Sequence, residues 1–394
     1  MQNKPTTFLL NIGHALDHMF LLIFATAVTS IANDFGVTRW EDLMPYSVAA
    51  FFFFGLGSLP AGRLGDLWGR RQMMIIFFVG IGLASILVAA TSSARQLALA
   101  LAVLGGAASI YHPVGIPMLV QGAVRPGWTI GVNGLAGNLG LALAAAVTGL
   151  FIKYLGWRMA FVIPGVISIL CGLLFAFYAP RETMAPARKK AVAGVHPGLS
   201  VAKLMLIMTF AATSGSMLFN FSTNSNYELL TSKFAEISQD PAQIGFFLAL
   251  VYVLASLTQL LIGHLLDKVA LKTLYRVVIV AQLIALLLAN LTDGWFFYIA
   301  QLLFMAAIFG AIPFTDAMVV RYVDDTMRSR VSGMRLAVAL GSSSLAVWLI
   351  GPIVKAAGFT TLIWVMVATS CITFAVVSLL PSPSPSRGEA GVTS

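Results

Sequence analysis

The chain has 394 residues, 59% of them hydrophobic and only 10% charged, with a mean hydropathy of +0.90 and a formal net charge of +9. Too few charges are present to clothe a soluble globular enzyme of this length. Nor does the surplus positive charge mark a nucleic-acid binder, because the basic residues sit in the short segments between long apolar runs.

At about 20 apolar residues per bilayer crossing, those runs predict helices over 8–32, 43–62, 72–93, 96–121, 130–153 and 157–179. Six more follow over 201–230, 241–263, 273–292, 294–320, 331–354 and 359–381. Most lysines and arginines then fall on one side of the membrane, among them Arg63, Arg70 and Arg71, the cluster Arg188-Lys189-Lys190, Lys268, Lys272, Arg328 and Arg330. The positive-inside rule places that side, and both termini, in the cytoplasm of a multi-pass inner-membrane protein. The first run is read as a retained helix: Ala25-Thr26-Ala27 resembles a leader cleavage site, but the run carries His14, Asp17 and His18 and the twelve-helix count requires it.

Those three residues have i, i+3, i+4 spacing, which puts them on one helix face. Ionisable groups within a crossing are costly and face a cavity or a partner. Three readings stand open. They are a hydrogen-bonded packing cluster, a proton relay in which Asp17 titrates and a histidine shares its proton, and a metal site using two histidines at i, i+4. The proton relay is the expectation carried forward, with no resident metal or cofactor.

Between the second and third helices lies Gly62-Arg63-Leu64-Gly65-Asp66-Leu67-Trp68-Gly69-Arg70-Arg71, and an echo, Gly263-His264-Leu265-Leu266-Asp267-Lys268, recurs in the second half of the chain. A charged tight turn between crossings, repeated at half the chain length, resembles the signature of major facilitator superfamily transporters. The resemblance spans nearly the whole chain. It implies an all-α membrane fold of twelve helices in two pseudo-symmetric six-helix halves, residues 1–180 and 201–381, joined by a cytoplasmic linker at 181–200, with a disordered cytoplasmic tail at 382–394. It further implies a cytoplasmic gate formed by Gly62, Asp66, Gly69, Arg70, Arg71 and Asp267. Asp66 is expected to face the start of the helix over 331–354, with Arg70 supporting it by an ion pair. Asp316 is expected to join the gate by pairing with Arg321 or Arg335.

The fourth helix contains Ser109-Ile110-Tyr111-His112-Pro113-Val114-Gly115-Ile116-Pro117. Two prolines and a glycine open the backbone ladder there, and freed carbonyls at membrane depth are tolerated only beside a cavity or inside protein. His112 is therefore expected to reach the central cavity and to join the proton-coupling set. The fifth helix carries Gly131, Gly134, Gly137 and Gly140 at three-residue spacing, a close-packing pattern, together with Asn133 and Asn138.

These stretches, with His14 and Asp17, resemble the fosmidomycin-resistance branch of the superfamily at Ser109-Ile110-Tyr111-His112-Pro113 and Gly137-Asn138-Leu139-Gly140-Leu141-Ala142-Leu143. The chain departs from that branch at Val114, where an acid is common, and at Ala144-Ala145-Ala146-Val147, where antiporters commonly carry Gly-Pro. The arginine usual on the fourth helix of proton-coupled members is also absent.

In the second half the run Asn220-Phe221-Ser222-Thr223-Asn224-Ser225-Asn226-Tyr227-Glu228 is too polar for lipid and poor at holding a helix interior. It is expected to bend and to line the outer cavity. Tyr111, His112, Asn133, Asn138, Asn220 and Asn224 form the expected substrate-binding set. Cys171 and Cys371 read as small apolar residues within crossings. No Walker loop, dinucleotide fingerprint or nucleophile-base set is present.

The expected function is a monomeric secondary transporter, not an enzyme, that exports a small organic compound against proton entry by alternating access. Its expected partners are that substrate, protons and the bilayer. Two alternatives stand beside it: an importer or facilitator of a metabolite or divalent metal, and a receptor or scaffold on the same fold that transports nothing.

Overall fold

The computed structural model describes residues 4–121, 123, 126–181, 201–266, 268–322 and 325–380. Within these, the side chains of 126–127, 201–204, 316, 319–322, 325–337 and 340 are not described. Most of the expected linker, the expected tail and Asp267 lie outside the described residues, as does the side chain of Asp316.

Every regular element among the described residues is helical. The first half holds α1 (Lys4–Asp34), α2 (Val48–Trp68), α3 (Arg70–Ala89), α4 (Ala94–Ala108), α5 (Ile116–Val120), α6 (Pro126–Tyr154) and α7 (Trp157–Tyr178). A π-helical turn, Tyr111–Gly115, separates α4 from α5, and 3-10 turns at Trp40–Asp42 and Met44–Ser47 lead into α2. The second half holds α8 (Val201–Lys233), α9 (Pro241–Leu266), α10 (Leu271–Leu291), α11 (Gly294–Tyr322) and α12 (Asp325–Val377).

Eleven segments among the described residues are long and apolar enough to cross a membrane. The twelfth is hidden in α12. Its 53 residues would extend about 80 Å as one rod at 1.5 Å per residue, far beyond a hydrocarbon core of roughly 30 Å. Gly358 breaks it, with φ 74° and ψ 175°, a conformation that glycine adopts without steric cost. The chain turns there and crosses again.

Contacts fold each half on itself. α1 packs on α6, α3 on α7 and α2 on α4; in the second half α8 packs on α12, and α11 on both α9 and α10. The halves meet along α6 with α9, α2 with α12, and α1 with α8. At the α1–α6 contact a Cβ on Gly140 would lie only 2.1 Å from the Ala15 carbonyl oxygen, so the missing side chain is what allows the two backbones to touch. Large apolar side chains such as Leu99, Phe177, Leu291 and Phe296 point outward, a surface suited to lipid rather than water.

The charged motif is not a loop, as the sequence reading had it. Gly62 to Trp68 form the last two turns of α2, and the reversal falls at Gly69, with φ 96°. Gly62 and Gly65 instead serve packing, because Cβ atoms there would meet Pro113 Cβ at 3.3 Å and Val114 Cγ2 at 3.0 Å. The end of α2 thus rests on the π turn.

The polar stretch of α8 also departs from expectation. The helix runs unbroken through Lys233, and Asn220 to Glu228 are all buried. Ser222, Thr223 and Ser225 return their hydroxyls to carbonyls four residues back (Leu218, Phe219 and Phe221) at 2.6–2.9 Å. Hydroxyls satisfied this way need no water, so the stretch stays helical inside protein.

Successive crossings define two faces, one where α2 gives way to α3 and α9 to α10, and an opposite one where α1 ends and α8 gives way to α9. Among the described residues, the ties between the halves lie at the opposite face. Lys153 pairs with Asp240 and Lys355 with Asp42. Arg39 donates to the Lys355 carbonyl at 3.5 Å, Trp40 stacks on Phe359, and Thr29 donates to Glu228 at 2.7 Å.

Candidate functional site

His14, Asp17 and His18 share the face of α1 that looks toward α6 and the π turn. Pro113 and Pro117 have no N–H to give the ladder, and the chain answers with the π turn, an i→i+5 arrangement often found at functional positions. That turn brings Tyr111 and His112 to the α1 cluster. The His14 ring stacks on Tyr111 at 4.8 Å with planes 13° apart, and meets His18 and His112 edge-on at 4.8 and 5.1 Å.

Positioning bonds surround the cluster. His14 Nδ1 lies 2.7 Å from the Asn133 backbone oxygen. A carbonyl only accepts, so Nδ1 carries the hydrogen and Nε2 is left facing the cluster, with no hydrogen-bond partner among the described residues. The Asn133 amide donates to the Tyr111 hydroxyl at 2.8 Å and to Asn11 Oδ1 at 3.0 Å, and Tyr111 donates to the Leu10 carbonyl at 2.7 Å. Gly137 makes room for this arrangement, since a Cβ there would sit 2.8 Å from the His14 ring.

Asp17 is the most confined member. It is 0% exposed, and neither carboxylate oxygen has a hydrogen-bond partner among the described residues. His112 Nε2 lies 3.5 Å from its Oδ2. The His112 side chain is 19% exposed, which makes it the link between the buried acid and the space outside the cluster. A carboxylate this deep without a partner costs several kcal/mol if it is charged alone. A proton held between Asp17 and His112 removes that cost, either as carboxylic acid beside imidazole or as carboxylate beside imidazolium. Nitrogens of His14, His18 and His112 also lie within 4.8 Å of one another, a spacing that one metal ion could bridge after small side-chain movements.

The other predicted residues divide. Asn138 is 4% exposed and its amide nitrogen has no partner among the described residues. Asn220 donates to the Ser216 carbonyl and to Ser343 Oγ, both at 2.9 Å, and Asn224 donates to Asn220 Oδ1 at 3.3 Å. These two are held by the second half rather than gathered with the histidines. At the first face Asp66 is exposed and pairs with no described residue, while Arg70 donates to Gln121 at 3.3 Å. Arg71 donates to the carbonyls of Ala176 and Ala179 at 2.5 and 2.9 Å, which caps α7.

The sequence reading missed Asn11, which sits three residues before His14 on the same face and could have been found by extending that face one turn. It also missed the bond from Thr29 to Glu228, while Gln301 is 0% exposed and neither of its amide atoms has a partner among the described residues. Nothing in local spacing announces a contact across 199 positions.

Known proteins agree with this architecture. A Streptomyces alboniger puromycin resistance protein is 29% identical over 159 residues, 40% of this chain and 31% of that protein. Multidrug resistance protein MdtG of Dickeya zeae is 24% identical over 293 residues, 71% of this chain and 70% of its own length. Among solved structures, the inward-open xylose transporter XylE from E. coli superposes with a TM-score of 0.79 at 13% identity, covering 97% of both chains. A bacterial homologue of the human lysosomal transporter Spinster gives 0.76 at 14% identity over 96% of both. The chain is a multi-pass inner-membrane transporter of small molecules and not an enzyme. The family described as Major Facilitator Superfamily matches residues 10–232 and again 204–394, and with helices that fold into two halves and pair across them, the chain belongs to that superfamily.

Proposed function

We propose that this transporter exports a small organic compound in exchange for protons, as a monomer with both termini in the cytoplasm. The observation that carries the reading is Asp17, fully buried, without a hydrogen-bond partner among the described residues, and 3.5 Å from the partly exposed His112. A proton neutralises the pair while water is excluded, and leaves when rocking of the halves wets the cluster from the other side. His14 and His18 keep the remaining walls polar. Resistance to drugs in the names of two relatives supports an organic cargo and an outward direction. The Tyr111-His112-Pro113 and Gly137-Asn138 stretches support placement beside the fosmidomycin-resistance branch.

In this reading Asn138, whose donor has no partner among the described residues, and His112 contact the substrate directly, while Tyr111 and Asn133 hold His14 in place. Asn220 and Asn224 contribute from the opposite half once α8 and α12 shift. Gly62, Asp66, Gly69, Arg70 and Arg71, with Asp267 and Asp316, form the cytoplasmic gate, which closes when Asp66 reaches the positive end of α12.

The test is transport in liposomes under an imposed pH gradient. Asp17→Asn is expected to abolish gradient-driven uptake while equilibrium exchange of substrate persists, because exchange does not require deprotonation. Wild-type pH dependence in Asp17→Asn would remove the reading. Zinc that stabilised the wild type but not His14→Ala would replace it with metal transport.

A further inference from the structure

Glu228 stands apart from the other acids of the opposite face. Asp34 pairs with Arg158 at 2.7 Å, Glu41 with Arg39 at 2.7 Å and Asp293 with Lys233 at 2.9 Å, while Asp42 and Asp240 pair with Lys355 and Lys153. Glu236 is exposed to solvent. Glu41 and Glu228 are both buried, each 8% exposed, but of the two only Glu228 has no lysine, arginine or histidine of the described residues in ion-pair range. Its Oε1 accepts from Thr29 Oγ1 at 2.7 Å.

That bond joins the halves. Thr29 lies on α1, the helix that carries Asp17, and Glu228 lies on α8, one turn beyond Asn224. Among the described residues, the charged groups near it are already engaged elsewhere. Glu41, from the 3-10 turn, is a second buried acid already engaged by Arg39. From α12 comes Lys355, held by Asp42; from the start of α9, Asp240, held by Lys153; from α8 itself, Lys233, held by Asp293. Tyr227 turns its hydroxyl to the Pro241 carbonyl.

A charged carboxylate enclosed by one hydroxyl, near another acid, is poorly compensated, whereas a neutral carboxyl can accept from Thr29 and be enclosed without a counter-ion. We propose that Glu228 is a second proton-carrying carboxyl: protonated, it seals the opposite face through Thr29, and ionised, it releases that face to water. This deepens the proton-coupled reading, since it places a proton-dependent gate on the half that lacks Asp17.

The experiment uses the full chain in lipid nanodiscs, with Cys171→Ser and Cys371→Ser and spin labels at Thr38→Cys and Glu236→Cys, one exposed position on each half. Distance distributions are recorded across a pH series. The closed, short-distance population of the wild type is expected to give way to a longer one as pH rises. Glu228→Gln, which keeps the shape and the Thr29 bond but cannot ionise, is expected to stay closed, with at least a tenfold smaller change in the closed-to-open ratio. Thr29→Val is expected to lower the closed fraction at acid pH. With Asp17→Asn as the background, the infrared band of a protonated carboxyl at acid pH should be reduced further by Glu228→Gln.

A wild-type pH transition in folded Glu228→Gln overturns the proposal, as does a transition that follows sodium concentration at constant pH. Asp17→Asn separates the two sites: it is expected to lose driven transport yet keep the pH-dependent opening. If it lost that opening while Glu228→Gln kept it, the gate would answer to Asp17 alone.

Discussion

Replacing Gly140 by alanine tests whether the α1–α6 contact sets the geometry of the histidine cluster. The new Cβ would lie 2.1 Å from the Ala15 carbonyl oxygen, and ordinary contact begins at 3.4 Å. Both partners are backbone atoms on long helices, so no side chain can swing away, and the helices must part by about 1.3 Å. His14 is the residue before Ala15. Moved that far, its 2.7 Å bond to the Asn133 carbonyl lengthens to about 4 Å, outside hydrogen-bonding range. Overpacking costs about 1–3 kcal/mol and a lost buried hydrogen bond about 0.5–1.5 kcal/mol, so Gly140→Ala should lose about 1.5–4.5 kcal/mol. Gly137→Ala is the internal control. Its Cβ meets the His14 ring at 2.8 Å, and a ring tilts more easily than a carbonyl moves, so the loss should be nearer 1 kcal/mol. Unfolding in mixed detergent micelles measures both, alongside proton-driven transport in liposomes. Gly140→Ala protein with wild-type unfolding and wild-type transport would refute the reasoning, and so would a larger loss in Gly137→Ala.

Tyr111→Phe removes the hydroxyl that donates to Leu10 and accepts from Asn133; about 1–2 kcal/mol of stability should go, with a weaker pH dependence of transport, and an unchanged pH profile would show that the stack alone positions His14. Arg71→Ala uncaps α7, so amide hydrogen exchange at Phe175 to Ala179 should quicken while transport falls only modestly; equal exchange rates would deny the cap. The Lys153 ammonium, by hydrogen bonding to Asp240, holds that carboxyl below the ordinary carboxylate range. A depressed pKa means that the link is present above the unfolded value of about 3.9 and is lost as pH falls through the lower folded one. Asp240→Asn should therefore loosen the opposite face at neutral pH, by an amount that added salt reduces in the wild type; labels across that face that show no salt or mutational response would contradict this.

Much of the fold could be read from the chain because lipid punishes exceptions. Apolar runs of about 20 residues have few alternatives to spanning helices, and the prolines at 113 and 117 marked the place where the fourth crossing opens. The spacing of His14, Asp17 and His18 likewise required one face. Other features depended on long-range contacts. The chain order of Gly62 to Arg71 looks like a loop, yet Gly62 and Gly65 are there for Pro113 and Val114, a relation visible only when α2 lies against the π turn. Polar residues in α8 looked solvated because sequence counts donors and not the carbonyls one turn back that accept them. Asn220 finds Ser343 123 positions away, beyond the reach of any local rule.

The π turn touches both the proposed proton site and the proposed gate. On one side it presents His112 to Asp17; on the other, the next two residues, Pro113 and Val114, are the surface on which Gly62 and Gly65 of α2 rest. A regular α-helix would carry strain along its axis through an intact ladder. This segment has lost rungs at two prolines and has slack where its neighbours have none. In the proposed cycle, a sideways step of α2 as the first face opens would be taken up at Tyr111–Gly115, next to the residue that faces the buried acid. In that cycle the break in the fourth crossing would serve as a universal joint, a short mechanical route from the charged end of α2 to His112.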